Sequence, residues 1–157
     1  MYKESDFGAI GKMGAVSLEE MSSVSLMNRT DTKFVTTVEK LRLILEDAAN
    51  AGYRVCEISG KRLMAYASVY YDTPDLQMYT AHRNGKKTRQ KVRVRTYLID
   101  DETFLEIKRK NNHGRTKKKR VPIPSSSVMD FGDIPDAASF LERKSWWKAS
   151  DVSPETT

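Results

Sequence analysis

Polar residues alternate with mostly apolar ones from Lys91 to Leu98. Successive side chains of a β-strand point to opposite faces, so this pattern predicts a strand with one charged face and one apolar face. The charged face carries Lys91, Arg93, Arg95 and Tyr97, and the other carries Val92, Val94, Thr96 and Leu98. Three cations in a row on one face indicate a binding role for that face.

The same separation of faces recurs in two segments downstream, 103–110 and about 116–123. In the first, Glu106, Lys108 and Lys110 oppose Leu105 and Ile107. In the second, Lys118 and Arg120 lie on the face opposite Val121 and Ile123. If the alignment of this strand were shifted by one residue, Lys117 and Lys119 would lie on the charged face instead. Turn-like residues at 100–101 and 111–114 join these segments, and such short connections predict antiparallel neighbours.

Helices and further strands are predicted from capping and turn signals. Capping boxes at Ser17–Glu20 and Thr36–Glu39 predict helices that end near residue 23 and at Gly52. The segment 26–36 predicts a strand with Arg29, Asp31 and Lys33 on one face. Other predicted elements are strands within 53–58 and 62–72 around the turn 59–61, a helix that begins at Thr73-Pro74-Asp75 and ends at Asn84-Gly85, and a helix over 134–147.

Charge is concentrated in one part of this 157-residue chain, whose formal net charge is +6. Residues 83–120 carry 15 Lys or Arg against 4 Asp or Glu, a local net charge of +11, so the rest of the chain sums to −5. A concentrated positive field attracts polyanions such as nucleic acid, anionic lipid or phosphate chains. A solvated basic face that only aids solubility is the alternative.

The cysteine content and the absence of a long apolar run indicate the cellular compartment. The single Cys56 excludes an internal disulfide and favours the cytoplasm, or the cytoplasmic face of a membrane. No apolar run approaches the ~20 residues of a transmembrane helix. His82 and His113 are too few to predict a metal site.

A linear phosphate chain fits the predicted charged faces. Alternate residues on a strand lie roughly 6 to 7 Å apart, which gives regular rows of cations. Arginine offers a planar fork to phosphate oxygens, and lysine a compact charge. Like charges on neighbouring strands repel, so these rows cost stability unless a polyanion compensates them. Neither GxxxxGK[ST] nor GxGxxG occurs to hold a nucleotide at a helix.

Five motifs in order resemble the VTC domain, the polyphosphate polymerase domain of the vacuolar transporter chaperone family, within the CYTH-like triphosphate tunnel superfamily. They are NRTDTKFV (28–35), VYYDTPDLQMY (69–79), KVRVRTY (91–97), FLEIKRKNN (104–112) and TKKKR (116–120). The resemblance implies an α+β fold with an antiparallel β-tunnel. It also implies transfer of the terminal phosphoryl group of a nucleoside triphosphate onto a growing polyphosphate, with Mn²⁺ or Mg²⁺.

The resemblance assigns phosphate binding to a set of basic residues and no catalytic or metal-binding residue. The set comprises Arg29, Lys33, Lys91, Arg93, Arg95, Lys108, Lys110, Lys118 and Arg120. Glu106 is expected to orient a neighbouring cation, or to assist a metal.

The chain resembles the first half to two thirds of the VTC domain, because the family's later strands and its metal-binding glutamate have no counterpart here. We therefore expect a mobile leader (1–15), an incomplete tunnel (16–148) and a loose tail (149–157), with a second copy or another segment at the open edges. The isolated chain is then expected to be inactive. Two alternatives stay open: a non-catalytic sensor of polyphosphate or nucleotide, and a sheet that binds RNA or single-stranded nucleic acid. The latter needs aromatic side chains among the cations, and only Tyr97 qualifies on the central strand.

Overall fold

The computed structural model describes residues 3–22 and 32–155. The chain divides into two compact units, Met1–Met64 and Ala65–Thr157. Short helices accompany an antiparallel five-stranded sheet in the second unit, which confirms the predicted α+β class.

The described residues of the first unit, 3–22 and 32–64, form three α-helices and a parallel pair of strands. Its elements are α1 (Gly8–Lys12), β1 (Gly14–Val16), α2 (Leu18–Ser22), α3 (Val38–Asn50) and β2 (Arg54–Cys56), with a 3₁₀ turn over Glu4–Phe7 before α1. Strand β1 pairs with β2 in register from Gly14↔Arg54 to Val16↔Cys56. Strand β2 confirms the strand predicted within 53–58, whereas helix α1, strand β1 and the pairing of β1 with β2 were not predicted.

The helix predictions in the first unit are confirmed, with one cap misplaced. Ser17 and Glu20 form the predicted capping box: the Glu20 amide donates to Ser17 Oγ at 3.1 Å, and the Ser17 amide donates to Glu20 Oε2 at 2.8 Å. Helix α3 begins one residue later than expected, because Thr37 has the extended backbone of an N-cap and its hydroxyl accepts from the Lys40 amide at 3.3 Å. The capping box predicted at Thr36 is therefore wrong.

The strand predicted over 26–36 is wrong for residues 32–36, the part of this segment that the structure describes. Residues 26–31 lie outside the described part of the chain, and residues 32–36 are irregular. Phe34 and Val35 are almost fully exposed, at 84% and 104%. Their β-propensity has no effect here because these residues pair with no neighbouring strand.

Over its described residues, 65–155, the second unit is a five-stranded sheet with two α-helices. Its elements are β3 (Tyr66–Asp72), α4 (Gln77–Arg83), β4 (Arg89–Tyr97), β5 (Glu102–Lys110), β6 (Thr116–Pro122), α5 (Pro135–Lys144) and β7 (Ser153–Pro154). The strand order is β6-β5-β4-β3-β7, and every pairing is antiparallel. The three consecutive strands predicted over 89–123 are thereby confirmed, and the helix predicted over 134–147 is confirmed in a shorter form.

Helix α4 begins later than the sequence predicts. Leu76, in a left-handed conformation with φ 54°, is its N-cap, so Thr73 and Pro74 precede the helix. The Asp72 carboxylate at the end of β3 accepts from the Met78 and Tyr79 amides at 2.8 and 2.7 Å. The Thr73 hydroxyl also accepts from the Gln77 amide at 3.0 Å. Capping from the preceding strand therefore replaces the expected Thr-Pro-Asp start.

The core of the second unit lies on one face of its sheet. Val92 and Val94 of β4 pair with Ile107 and Leu105 of β5, and all four are at most 1% exposed. A cluster on the same face includes Tyr71, Met78, Ile123, Phe131, Ala137, Phe140 and Leu141. Burial of each large aliphatic side chain stabilises the fold by roughly 1.5 to 3 kcal/mol. The core therefore fixes the register, because a one-residue slip would expose this whole set.

The sheet is open, with β6 and β7 at its edges and no closed barrel in the described ranges. Ser153 and Pro154 pair with Asp72 and Tyr71 of β3, a contact that the sequence did not predict. A second copy that pairs with an edge stays a prediction. No helix within 3–22 or 32–155 is long and apolar enough to cross a membrane.

Candidate functional site: the basic face of the sheet

The face of the sheet opposite the core, here called the basic face, carries most of the predicted phosphate-binding residues. Cross-strand pairing puts its members in rows perpendicular to the strands. From the centre to one end these rows are Arg93–Glu106–Arg120, Lys91–Lys108–Lys118 and Arg89–Lys110–Thr116, written in the order β4, β5, β6. The alternation predicted from the sequence is confirmed for β4 and β5.

The register of β6, which the sequence left open, follows from its pairing with β5. Lys118 lies opposite Lys108, and Arg120 lies opposite Glu106. Lys119 lies opposite Ile107 and so points to the other face. Arg89, which sequence reasoning did not select, shares the parity of Lys91 and joins the basic face opposite Lys110.

Three lysines lie directly opposite one another across β4, β5 and β6: Lys91, Lys108 and Lys118. Within the described chain, no carboxylate forms an ion pair with Lys91 or Lys108. Directly opposed like charges are destabilising. Burial and the positive charge of Arg93 lower the pKa of Lys108, with Lys118 adding to the effect and Glu106 opposing it. Lys91 and Lys108 therefore oppose each other without a compensating carboxylate in the described chain.

Glu106 is a fully buried carboxylate at the centre of this face. Arg93 donates to Glu106 Oε2 through Nε at 2.6 Å, and its Nη2 lies 2.5 Å from the same oxygen. Lys118 Nζ lies 2.6 Å from Glu106 Oε1. Burial alone would raise the pKa of Glu106, but hydrogen bonds from Lys118 and Arg93 outweigh it, so the pKa lies below 4.5. Glu106 therefore holds two cations in place.

Tyr70 adds a hydroxyl beside Arg93, its direct partner across β3 and β4. Burial raises the pKa of Tyr70, but a hydrogen bond with Arg93 and the charges of Arg93, Lys91 and Arg95 outweigh it, so the pKa is lowered. Arg93 itself is 7% exposed, and its guanidinium is fixed by Glu106 and Tyr70. A fixed guanidinium loses little freedom when it binds phosphate.

Aromatic side chains form the other end of the basic face. Tyr66 pairs with Tyr97 at a ring-centroid distance of 6.4 Å, and Tyr97 lies 6.2 Å from Phe104. Arg95 stacks 3.7 Å from the ring centroid of Tyr66, and Arg120 4.1 Å from that of Phe104. On the central strand the sequence predicts one aromatic side chain among the cations, Tyr97. The parity of β3 would have added Tyr66 and Tyr70 once its pairing with β4 was known.

Two predicted phosphate ligands lie elsewhere in the chain. Arg29 lies outside the described residues. Lys33 is an exposed residue of the irregular segment 32–37 in the first unit. Lys33 therefore belongs to no strand of the five-stranded sheet, and the role of both residues in phosphate binding stays a prediction.

The carboxylates in and beside the basic rows do not suit a divalent metal. Glu106 is occupied by Arg93 and Lys118, and Asp72 by the backbone amides that begin α4. Hard cations prefer several unoccupied oxygen ligands at one point. Across 3–22 and 32–155, no three His, Cys, Asp or Glu side chains cluster in a way that could hold a metal ion.

Comparison with known proteins agrees with this geometry. A search of curated proteins gave no match. The family model of the VTC domain matches residues 28–155, a span that contains every strand of the five-stranded sheet and all of its basic rows. The chain therefore belongs to the VTC domain family.

Proposed function

We propose that the basic face binds a chain of phosphates, either inorganic polyphosphate or the triphosphate of a nucleotide. The observation that carries the proposal is the row Lys91–Lys108–Lys118, three ammonium groups in register across three strands. Arg93 lies one row away, already oriented by Glu106. Membership of the VTC domain family supports a polyphosphate-related function.

Binding on this face is an electrostatic and hydrogen-bonding process. Phosphate oxygens would supply the counter-charge that Lys91 and Lys108 lack, and the N–H groups of Arg93 that Glu106 does not engage would add directional contacts. Strands lie about 4.8 Å apart, and rows two residues apart lie roughly 6 to 7 Å apart, so one phosphate chain can contact cations of several strands. Affinity should fall as salt rises, because partly exposed charges are screened.

A paired substitution tests the proposal. Lys108→Met removes the central ammonium of the row, whereas Lys119→Met removes an exposed ammonium from the opposite face of the adjacent strand. Both variants have the same net charge, so long-range attraction is matched. In calorimetric titration with tripolyphosphate, Lys108→Met should weaken binding about 10- to 100-fold, the range for a charged hydrogen bond. Equal losses in the two variants would refute a specific site.

The divalent metal belongs to the same proposal. Mn²⁺ or Mg²⁺ would arrive with the nucleotide, because Glu106 and Asp72 are already engaged by cations and amides. The titration is therefore run with and without Mg²⁺. Binding that persists without the metal supports recognition by the cations alone, as in a sensor of polyphosphate or nucleotide.

Single-stranded nucleic acid is the second candidate, since the basic face carries aromatic residues on three strands. Such binding stacks successive bases on aromatic rings spread among the cations. Here the lysine row has no aromatic member, and Tyr66, Tyr97 and Phe104 gather at the opposite end. Titration with an oligonucleotide of matched charge distinguishes the two. Tighter binding of the oligonucleotide than of tripolyphosphate would favour nucleic acid.

A further inference from the structure

The basic face is graded along its strands from aromatic to cationic. At one end Tyr66 of β3 pairs with Tyr97 of β4, which pairs with Glu102 of β5. Next come Ser68, Arg95, Phe104 and Pro122, then the central row of Tyr70, Arg93, Glu106 and Arg120, and beyond it the lysines. Tyr97 and Lys91 are six residues apart on β4, so the gradient extends over roughly 20 Å.

The aromatic end is accessible and ordered by its own contacts. Tyr66 is 54% exposed, although it is an aromatic residue in a strand of the main sheet. Its ring is tilted 59° to that of Tyr97, and Phe104 meets Tyr97 edge-on. Aromatic pairs in these arrangements stabilise each other by about 0.5 to 1.5 kcal/mol. The three rings therefore form a defined cluster on three strands, here called the aromatic row, in which Phe104 lies one position nearer the central row than Tyr66 and Tyr97.

Arg95 joins the aromatic row to the cations. Its Nε donates to Ser68 Oγ at 2.9 Å, and its guanidinium lies 3.7 Å from the centroid of the Tyr66 ring. A guanidinium fixed in this way presents both a flat surface for stacking and N–H groups for phosphate. Glu102, opposite Tyr97, places a negative charge at the aromatic end, which disfavours phosphate there.

We propose that the aromatic row is a subsite for the base of a nucleoside triphosphate whose phosphates extend toward Lys91, Lys108 and Lys118. The inference rests on the proposed function of the basic face. Inorganic polyphosphate has no group that would use the aromatic row. A nucleic acid strand would need rings along the whole track. A single base followed by several phosphates matches the one-way gradient from Tyr97 to Lys91.

Comparison of ATP with inorganic tripolyphosphate tests the inference on the full chain. Tripolyphosphate carries the greater negative charge for the same number of phosphates, so a purely electrostatic site would prefer it. We expect the wild-type protein to bind ATP at least as tightly at the same ionic strength. Tyr66→Leu should weaken ATP binding about 5-fold or more, the lower limit for loss of one base–aromatic stack, and leave tripolyphosphate binding unchanged.

Two further variants distinguish stacking from a structural effect. Tyr66→Phe keeps the ring and should retain the preference for ATP. Tyr79→Leu removes a tyrosine of similar exposure, 53% against 54% for Tyr66, from helix α4 beyond the other end of β3. This control should leave the ratio of the ATP and tripolyphosphate affinities unchanged.

Each outcome of this experiment is informative. Equal losses for both ligands in Tyr66→Leu, or no loss for either, would overturn the base subsite while leaving phosphate binding intact. If the wild-type protein bound neither ligand, the proposed function would fail together with the subsite, and the two failures are therefore distinguishable.

Discussion

Arg93 of β4 and Glu106 of β5 lie directly opposite each other, and Arg93 Nη2 is 2.5 Å from Glu106 Oε2. Both residues are buried. Lys118 pairs with the second oxygen of Glu106, and the other cations of this face have no carboxylate partner in the described chain. One carboxylate thus compensates two cations, and the other cations of the face are the ones that the proposed phosphate ligand would contact.

Glu106→Gln should destabilise the protein. The substitution keeps the shape of the side chain but leaves Arg93 without its counter-charge, and loss of one partner of a buried ion pair costs about 3 kcal/mol or more. Urea denaturation at neutral pH measures the free energy of unfolding. Glu102→Gln is the matched control, because Glu102 is an exposed carboxylate on the same strand and face, and its substitution should change stability by less than about 0.5 kcal/mol. Equal effects of the two variants would contradict a structural role of Glu106.

The stabilisation by Glu106 should depend on pH below about 4.5. Its pKa is lower in the folded protein than the ordinary value of 4.5, so the unfolded chain binds more protons between the two values. The ion-pair contribution is therefore complete above 4.5 and is lost as the pH falls through the folded-state pKa. The stability difference between wild type and Glu106→Gln should narrow over that interval in urea titrations at successive pH values. A difference that stays constant down to pH 2 would contradict the assignment.

Lys108→Met should stabilise the protein in the absence of ligand. Lys108 faces Lys91 on one side and Lys118 on the other, and opposed like charges cost a few tenths of a kcal/mol to about 1 kcal/mol per pair. Methionine keeps the aliphatic stem and removes the charge. We expect the free energy of unfolding to rise by about 0.5 to 1 kcal/mol, and stabilisation by added tripolyphosphate to diminish. Lys119→Met, whose direct partner is Ile107, should change stability by less than 0.5 kcal/mol. A loss of stability in Lys108→Met would show that the row is not repulsive.

The sequence predicts most of the basic face because the pattern that forms it is local. Alternation in β4 and β5 places Arg93, Lys91 and Lys108 on one side without knowledge of the partner strand. In β6 the pattern does not determine how the strand aligns with β5. The pairing Glu106↔Arg120 places Lys118, and not Lys119, on the basic face. Periodicity thus predicts a face, whereas register requires the sheet.

Features that depend on distant pairing were missed for the same reason. In β3, aromatic residues occur on both faces, so Tyr66 and Tyr70 could not be assigned to the basic face before their pairing with β4 was known. Strand β7 has only two residues, too few for any period. The start of α4 depends on the Asp72 carboxylate, which reaches forward from the preceding strand to accept from two helix amides.

Phosphoryl transfer by the 157-residue chain should be negligible even when ATP occupies the proposed site. Catalysis of this reaction consists almost wholly of positioning and of charge neutralisation by metal ions and cations. Arg93 and the lysine row supply cations, but the carboxylate of Glu106 is held by Arg93 and Lys118 and is not free to bind Mn²⁺ or Mg²⁺. Radiolabelled ATP incubated with either metal should yield no polyphosphate above background. Robust synthesis that Arg93→Ala abolishes and Lys119→Ala preserves would show that the chain is a complete catalytic unit.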